Sequence, residues 1–307
     1  MKIELTNVTK RYGSITALDD CTVTIPSGSV CGVLGTNGAG KTTLFHLLVG
    51  LTTVDDGSIS IGGRQVTEGD VSVREHVGYL PERVGFPAEL TAREILRTHA
   101  SIRGIRDGAV VDQTLEMVEL DYAADRRVRG FSNGMQGRLG LATAILSRPS
   151  VLILDEPTAG LDPTGVRRFY RIVERLVAST DATVLLATHD LANVERLCDR
   201  AVVLEGGQVI LDAPVEALNS QSAPITTIHA IQPTAPLAAQ AIIDELPSAR
   251  IEDATEEVIS ICVQTDALVE CINLIDDTLD PERYEIQHQD LEDAFVNLIE
   301  SPKGEPA

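Results

Sequence analysis

No run of about eighteen apolar residues occurs in the 307-residue chain, so a membrane-spanning helix is not expected. The start Met1-Lys2-Ile3-Glu4 runs straight into the alternating Ile3, Leu5 and Val8 rather than into the apolar core of a secretion signal. A soluble, unprocessed chain is expected. Lysine is scarce, at positions 2, 10, 41 and 303 only, and the formal net charge is −21. An acidic, lysine-poor surface argues against nucleic acid as the main partner, because phosphate backbones are bound through basic surface. It is the kind of surface expected in a salt-rich cytoplasm, where ionic strength screens self-repulsion. Cysteines 21, 31, 198, 262 and 271 are odd in number, scattered and without metal-ligand spacing, which points to reduced thiols packed as small hydrophobes.

The charge is uneven. From residue 219 onward there are 18 Asp plus Glu against 3 Lys plus Arg, a net of −15, leaving −6 for the first 218 residues. With the length, this suggests two unequal domains: an α/β domain over 1–218, a Ser/Ala/Pro-rich linker over 219–226, a small α+β domain over 227–300 and a tail over 301–307.

The strongest pattern is Gly35-Thr36-Asn37-Gly38-Ala39-Gly40-Lys41-Thr42-Thr43 after the apolar run Val30 to Leu34. It fits G-x-x-x-x-G-K-[ST] between a buried strand and a helix, Thr42 to Val49, stopped by Gly50. In such a loop, backbone N–H groups and the helix N-terminus cradle phosphates, Lys41 reaches the β- and γ-phosphates, and Thr42 offers its hydroxyl to Mg²⁺.

Other segments bear on the same chemistry. The apolar run Val151 to Leu154 ends in Asp155 and Glu156, two carboxylates at the C-terminal edge of a buried parallel strand, as a Mg²⁺ ligand and a water-activating base require. The run Thr183 to Thr188 delivers His189 to the same edge, where it is either structural or faces the γ-phosphate. Phe131-Ser132-Asn133-Gly134-Met135 opens a helix with Ser132 as N-cap, an ordinary capped helix or an anion site. Tyr12, beside Gly13, is a loop aromatic or a stacking platform. A capping box over Thr91 to Glu94 opens a helical insertion spanning about 85–148, and a second helix is expected over Gly108 to Leu120. Near the end, strands over 227–231, 258–263 and 284–287 and helices over 238–246, 267–275 and 291–299 are expected, without a catalytic constellation.

Taken in order, these motifs resemble the nucleotide-binding subunit of ABC transporters over residues 1 to about 215. The resemblance implies a P-loop NTPase fold with an antiparallel β subdomain and a helical insertion. It also implies an ATPase with ATP and Mg²⁺ that works as a head-to-tail homodimer. Tyr12 would stack on adenine, Ser132 and Gly134 of the signature sequence would complete the partner copy's site, Asp155 would bind Mg²⁺, Glu156 would be the base, Asp162 would lie in a dimer-contact loop and His189 would be the switch histidine. Two positions depart from the family. Glu82 stands where it carries glutamine, and an extra carboxylate there either adds a Mg²⁺ ligand or repels the γ-phosphate. The signature reads Phe-Ser-Asn-Gly-Met, without its terminal glutamine. These variants and Leu291 to Phe295 are similar to ATPases of the ABC-2 export group, which implies a peripheral subunit on the cytoplasmic face of the membrane beneath a separate permease. The alternatives are a soluble ABC-type ATPase acting on ribosomes or DNA, and a regulatory nucleotide-binding module.

Overall fold

The structure is a computed structural model and describes residues 1–67, 71–188, 191–217, 225–231, 246, 249–254, 258–264, 267–279 and 283–288. His189 and the helix expected over 291–299 lie outside the described residues, as does all but Leu246 of the helix expected over 238–246. The chain divides into two compact units, Met1–Pro214 and Val215–Ala307.

The first unit opens with a hairpin, β1 (Ile3–Tyr12) and β2 (Ile15–Ile25), joined by β4 (Asp56–Ile61) and the short β5 (Arg64–Gln65) in an antiparallel sheet of order β2-β1-β4-β5. A second sheet has the order β10-β9-β3-β8-β7-β6, with β3 (Val30–Leu34), β6 (Val77–Leu80), β7 (Val151–Asp155), β8 (Thr183–Ala187), β9 (Arg200–Glu205) and β10 (Gln208–Pro214). The β10–β9 pair is antiparallel and the other pairings are parallel. Every residue of β3, β7 and β8 is buried, which is why these strands read as continuous apolar runs instead of alternating ones. Side chains of both sheets and of α1 (Lys41–Leu48) share one core, with Ile3, Val33, Phe45, Ile59 and Ile153 among its members.

The helical insertion holds α3 (Ala92–Ile102) and α4 (Ala109–Met117), after the single-turn α2 (Val71–Arg74) that the sequence pattern did not suggest. Thr91 caps α3 and exchanges bonds with Glu94, so the expected capping box is formed. The helix expected over 108–120 is shorter, because the chain leaves α4 after Met117 and Glu119 takes a positive φ of 55°. Next come α5 (Asn133–Ile145), α6 (Pro163–Ala178) and α7 (Leu191–Leu197). Asp162 caps α6 by accepting the Gly165 N–H at 2.6 Å, Pro163 occupies the first turn, and Phe169, Tyr170, Ile172, Val173 and Leu176 form the buried face.

The second unit contains an antiparallel sheet of order β12-β13-β11-β14, built from β11 (Ile225–Ile231), β12 (Arg250–Ala254), β13 (Val258–Gln264) and β14 (Arg283–His288). Helix α8 (Leu268–Leu279) packs on β11 and β13, with Ile228, Ile261, Cys271 and Ile275 in the core between them. β11 begins at Ile225, inside the span read as linker. All five cysteines are buried and none forms a disulfide, as their spacing suggested.

Candidate functional site

The loop between β3 and α1 is shaped by glycines that nothing else can replace at two positions. Gly35 has φ 152°, and a Cβ there would lie 2.4 Å from the Leu204 carbonyl; Gly40 has φ 109°, and a Cβ would lie 2.5 Å from the Ala17 carbonyl. An L side chain at either position meets both backbone strain and a clash. The second contact also fixes the β1–β2 hairpin against the loop. Tyr12, the last residue of β1 and not a loop residue, pairs with Ile15 in that hairpin; the residue is 47% exposed, with Lys10 Nζ 5.4 Å from the ring centroid.

Lys41 is 8% exposed, and its ammonium donates to the carbonyls of Gly35 at 2.7 Å and Thr36 at 3.2 Å. Among the described residues no carboxylate pairs with it, so a buried cation is held at the loop by carbonyl dipoles alone. The hydroxyl of the next residue, Thr42, donates to Asp155 Oδ1 at 3.5 Å, and Tyr79 Oη donates to Asp155 Oδ2 at 3.3 Å.

Asp155 is only 2% exposed. Burial pushes its carboxyl above the usual carboxylate range, the bonds from Thr42 and Tyr79 and the nearby His46 oppose that push, and Glu82 adds to it. Tyr79 is itself held neutral, since burial and the neighbouring Asp155 both raise its phenol. It stays a donor, and sequence reasoning missed it, because nothing in the run 77–80 marks its phenol as a partner of Asp155. Glu82 has a half-exposed side chain, 3.8 Å from Arg83. Glu156 sits at the turn out of β7 with φ 43°, its N–H bonded to the Ala187 carbonyl at 3.0 Å.

Ser132, Asn133, Gly134, Leu161 and Asp162 line a different cleft of about 530 Å³, together with Arg138 and Arg168 and without any P-loop residue. Ser132 accepts the Met135 N–H at 3.3 Å, and Asn133 Nδ2 donates to the Gly160 carbonyl at 3.4 Å. A Cβ on Gly134 would meet only Leu161, at 3.9 Å, so packing inside this chain does not demand glycine there. The structure thus brings Lys41, Thr42, Asp155 and Tyr79 to one sheet edge and groups the signature residues with Asp162 at a second place.

Residues 18–159 match the family model described as ABC transporter. Over 220 residues the chain is 37% identical to the bacitracin transport ATP-binding protein BcrA of Bacillus licheniformis, covering 72% of each sequence. The chain belongs to the ABC transporter ATP-binding protein family. A second relative, the Nod factor export ATP-binding protein I of Sinorhizobium fredii (strain NBRC 101917 / NGR234), is 39% identical over 219 residues, covering 70% of this chain and 64% of the relative. A solved structure described as the ATP-binding subunit of an ABC transporter superposes with a TM-score of 0.65 at 30% identity, over 72% of this chain and 93% of that one. This ABC subunit is therefore an ATP-binding ATPase with a P-loop NTPase fold. No helix among the described residues is long and apolar enough to cross a membrane.

Proposed function

We propose that this ABC ATPase drives export through a separate membrane permease, lying peripherally on the cytoplasmic face and working as a head-to-tail pair of copies. The observation that carries the reading is the meeting of Thr42 and Asp155 at 3.5 Å, which joins the P-loop to the strand end bearing Glu156. Export is supported by the relative from Sinorhizobium fredii, a Nod factor export ATP-binding protein.

Lys41 would turn from the Gly35 and Thr36 carbonyls to the β- and γ-phosphates, and Tyr12, on the hairpin that abuts the loop, would stack on adenine. The donor set suits Mg²⁺: Thr42 and the buried Asp155 supply hard oxygens, Glu82 is a third candidate, and the ion when bound would offset phosphate charge. Glu156 would accept the proton of a water whose oxygen attacks the γ-phosphorus while the bond to the β,γ-bridging oxygen breaks. His189, which the sequence places after β8, would face the same phosphate. Ser132 and Gly134 would close the site of the other copy, and the free space at Gly134 supports such an approach.

In Glu156→Gln, ATP turnover should fall by about 10²–10⁴-fold while ATP binding persists and the chain accumulates as an ATP-bound dimer. Near-normal turnover would sink the assignment of Glu156. Pull-down of the full chain from native membranes should recover a polytopic membrane protein; recovery of ribosomes instead would overturn the permease reading.

A further inference from the structure

Glu119 follows α4 with φ 55°, a conformation in which glycine is free of strain and a glutamate is not. The carboxylate in that costly position is fully used. It accepts Arg168 Nε at 2.6 Å and Arg175 Nη2 at 2.5 Å, two arginines on the same side of α6. The backbone of the same residue binds the other helix: Arg138 of α5 is 5% exposed, and its Nη1 donates to the carbonyls of Glu119 at 2.5 Å and Val118 at 3.1 Å while its Nε donates to the Gly134 carbonyl at 3.3 Å. Ser132 caps α5 and Asp162 caps α6, and both N-caps line the 530 Å³ cleft together with Arg138 and Arg168.

Ion pairs as exposed as these add little to global stability: the side chains of Arg168, Arg175 and Glu119 are 42%, 54% and 26% exposed. Their geometric effect is larger. They tie α6 at two points, Arg168 in its second turn and Arg175 in its last, to the residue whose carbonyl receives α5 through Arg138. We propose that Glu119 is a positioning residue, which bonds α6 through its carboxylate and α5 through its carbonyl and so holds Ser132, Gly134 and Asp162 in the arrangement that a second, ATP-loaded copy docks against. This rests on the head-to-tail reading given under Proposed function.

The test uses the full chain in the Glu156→Gln background, with sedimentation velocity in ATP and Mg²⁺ across protein concentrations and fluorescent ATP analogue binding to the monomer. Glu119→Gly should raise the concentration needed for dimerisation by about tenfold, with analogue affinity within about twofold of the parent and no loss of melting temperature. Glu119→Asp, which keeps the charge, should recover part of the loss. Should Glu119→Gly not fold, the near-isosteric Glu119→Gln is read in its place with the same expectation. Unchanged dimerisation in both variants overturns the positioning role, and so does a parallel loss of analogue binding, which would mean general damage. If the Glu156→Gln parent does not dimerise with ATP, the head-to-tail reading itself fails and this inference falls with it.

Discussion

Asp155 carries an acid group where an acid is hard to ionise, and two hydroxyls offset that difficulty. Thr42 and Tyr79 each donate one hydrogen bond, to different oxygens of the carboxylate. The pair fixes the plane of the group as well as favouring its charge. Removing one donor by Tyr79→Phe keeps the ring and its edge-on contact with His46, whose centroid lies 6.3 Å away, but frees one carboxylate oxygen. The Mg²⁺ concentration giving half-maximal ATPase should rise about fivefold, corresponding to about 1 kcal/mol, with little change in kcat at saturating Mg²⁺. A magnesium titration of the two proteins checks this; superimposable curves would remove Tyr79 from any supporting role.

At the scale of elements, the helical insertion depends on how α3 begins. The Thr91 side chain accepts the Glu94 N–H at 3.2 Å, and the Glu94 carboxylate accepts the Thr91 N–H at 2.8 Å and its hydroxyl at 3.0 Å. Those bonds hold the Glu94 carboxyl below its ordinary value. A carboxyl lowered in the folded state stabilises it above the unfolded pKa and loses that contribution as pH falls through the folded one. Thr91→Ala should cost about 1 kcal/mol at neutral pH through the lost cap, and the gap from the parent should narrow as acid protonates Glu94, because the hydroxyl bond to its carboxylate is lost while the backbone N–H bond remains. Denaturant titrations at several pH values report it, and a gap independent of pH would contradict the cap's part in it. This cap was legible because both partners lie within one turn of sequence. The same holds for the P-loop and for β3, β7 and β8, whose apolar runs follow from burial on both faces. β12 was not legible: Arg250-Ile251-Glu252-Asp253-Ala254 is charged because it is an edge strand, where charge deters pairing with other chains. The Glu119 contacts were equally hidden, since they join residues 49 and 56 positions apart and depend on a backbone conformation that a glutamate does not announce.

Over the whole molecule, the first unit ends at Pro214, close to where the chain composition turns acidic. The division between Pro214 and Val215 follows contacts within each unit, which composition does not report. With a net charge of −21, self-repulsion opposes compaction and salt relieves it. The melting temperature of the full chain should climb by several degrees between about 0.05 and 1 M KCl. A flat or falling profile would remove the case for adaptation to a salt-rich interior. One consequence reaches beyond stability. β8 is hydrogen-bonded to β3 on one side and to β7 on the other, so the P-loop strand and the Asp155 strand never touch directly. Two inter-strand spacings of about 4.8 Å each set the interval between them. β8 is thus a ruler: its backbone hydrogen bonds to both neighbours, and not the buried side chains of Val184, Leu185 and Leu186, set the distance between the loop that leaves β3 and the carboxylate that ends β7.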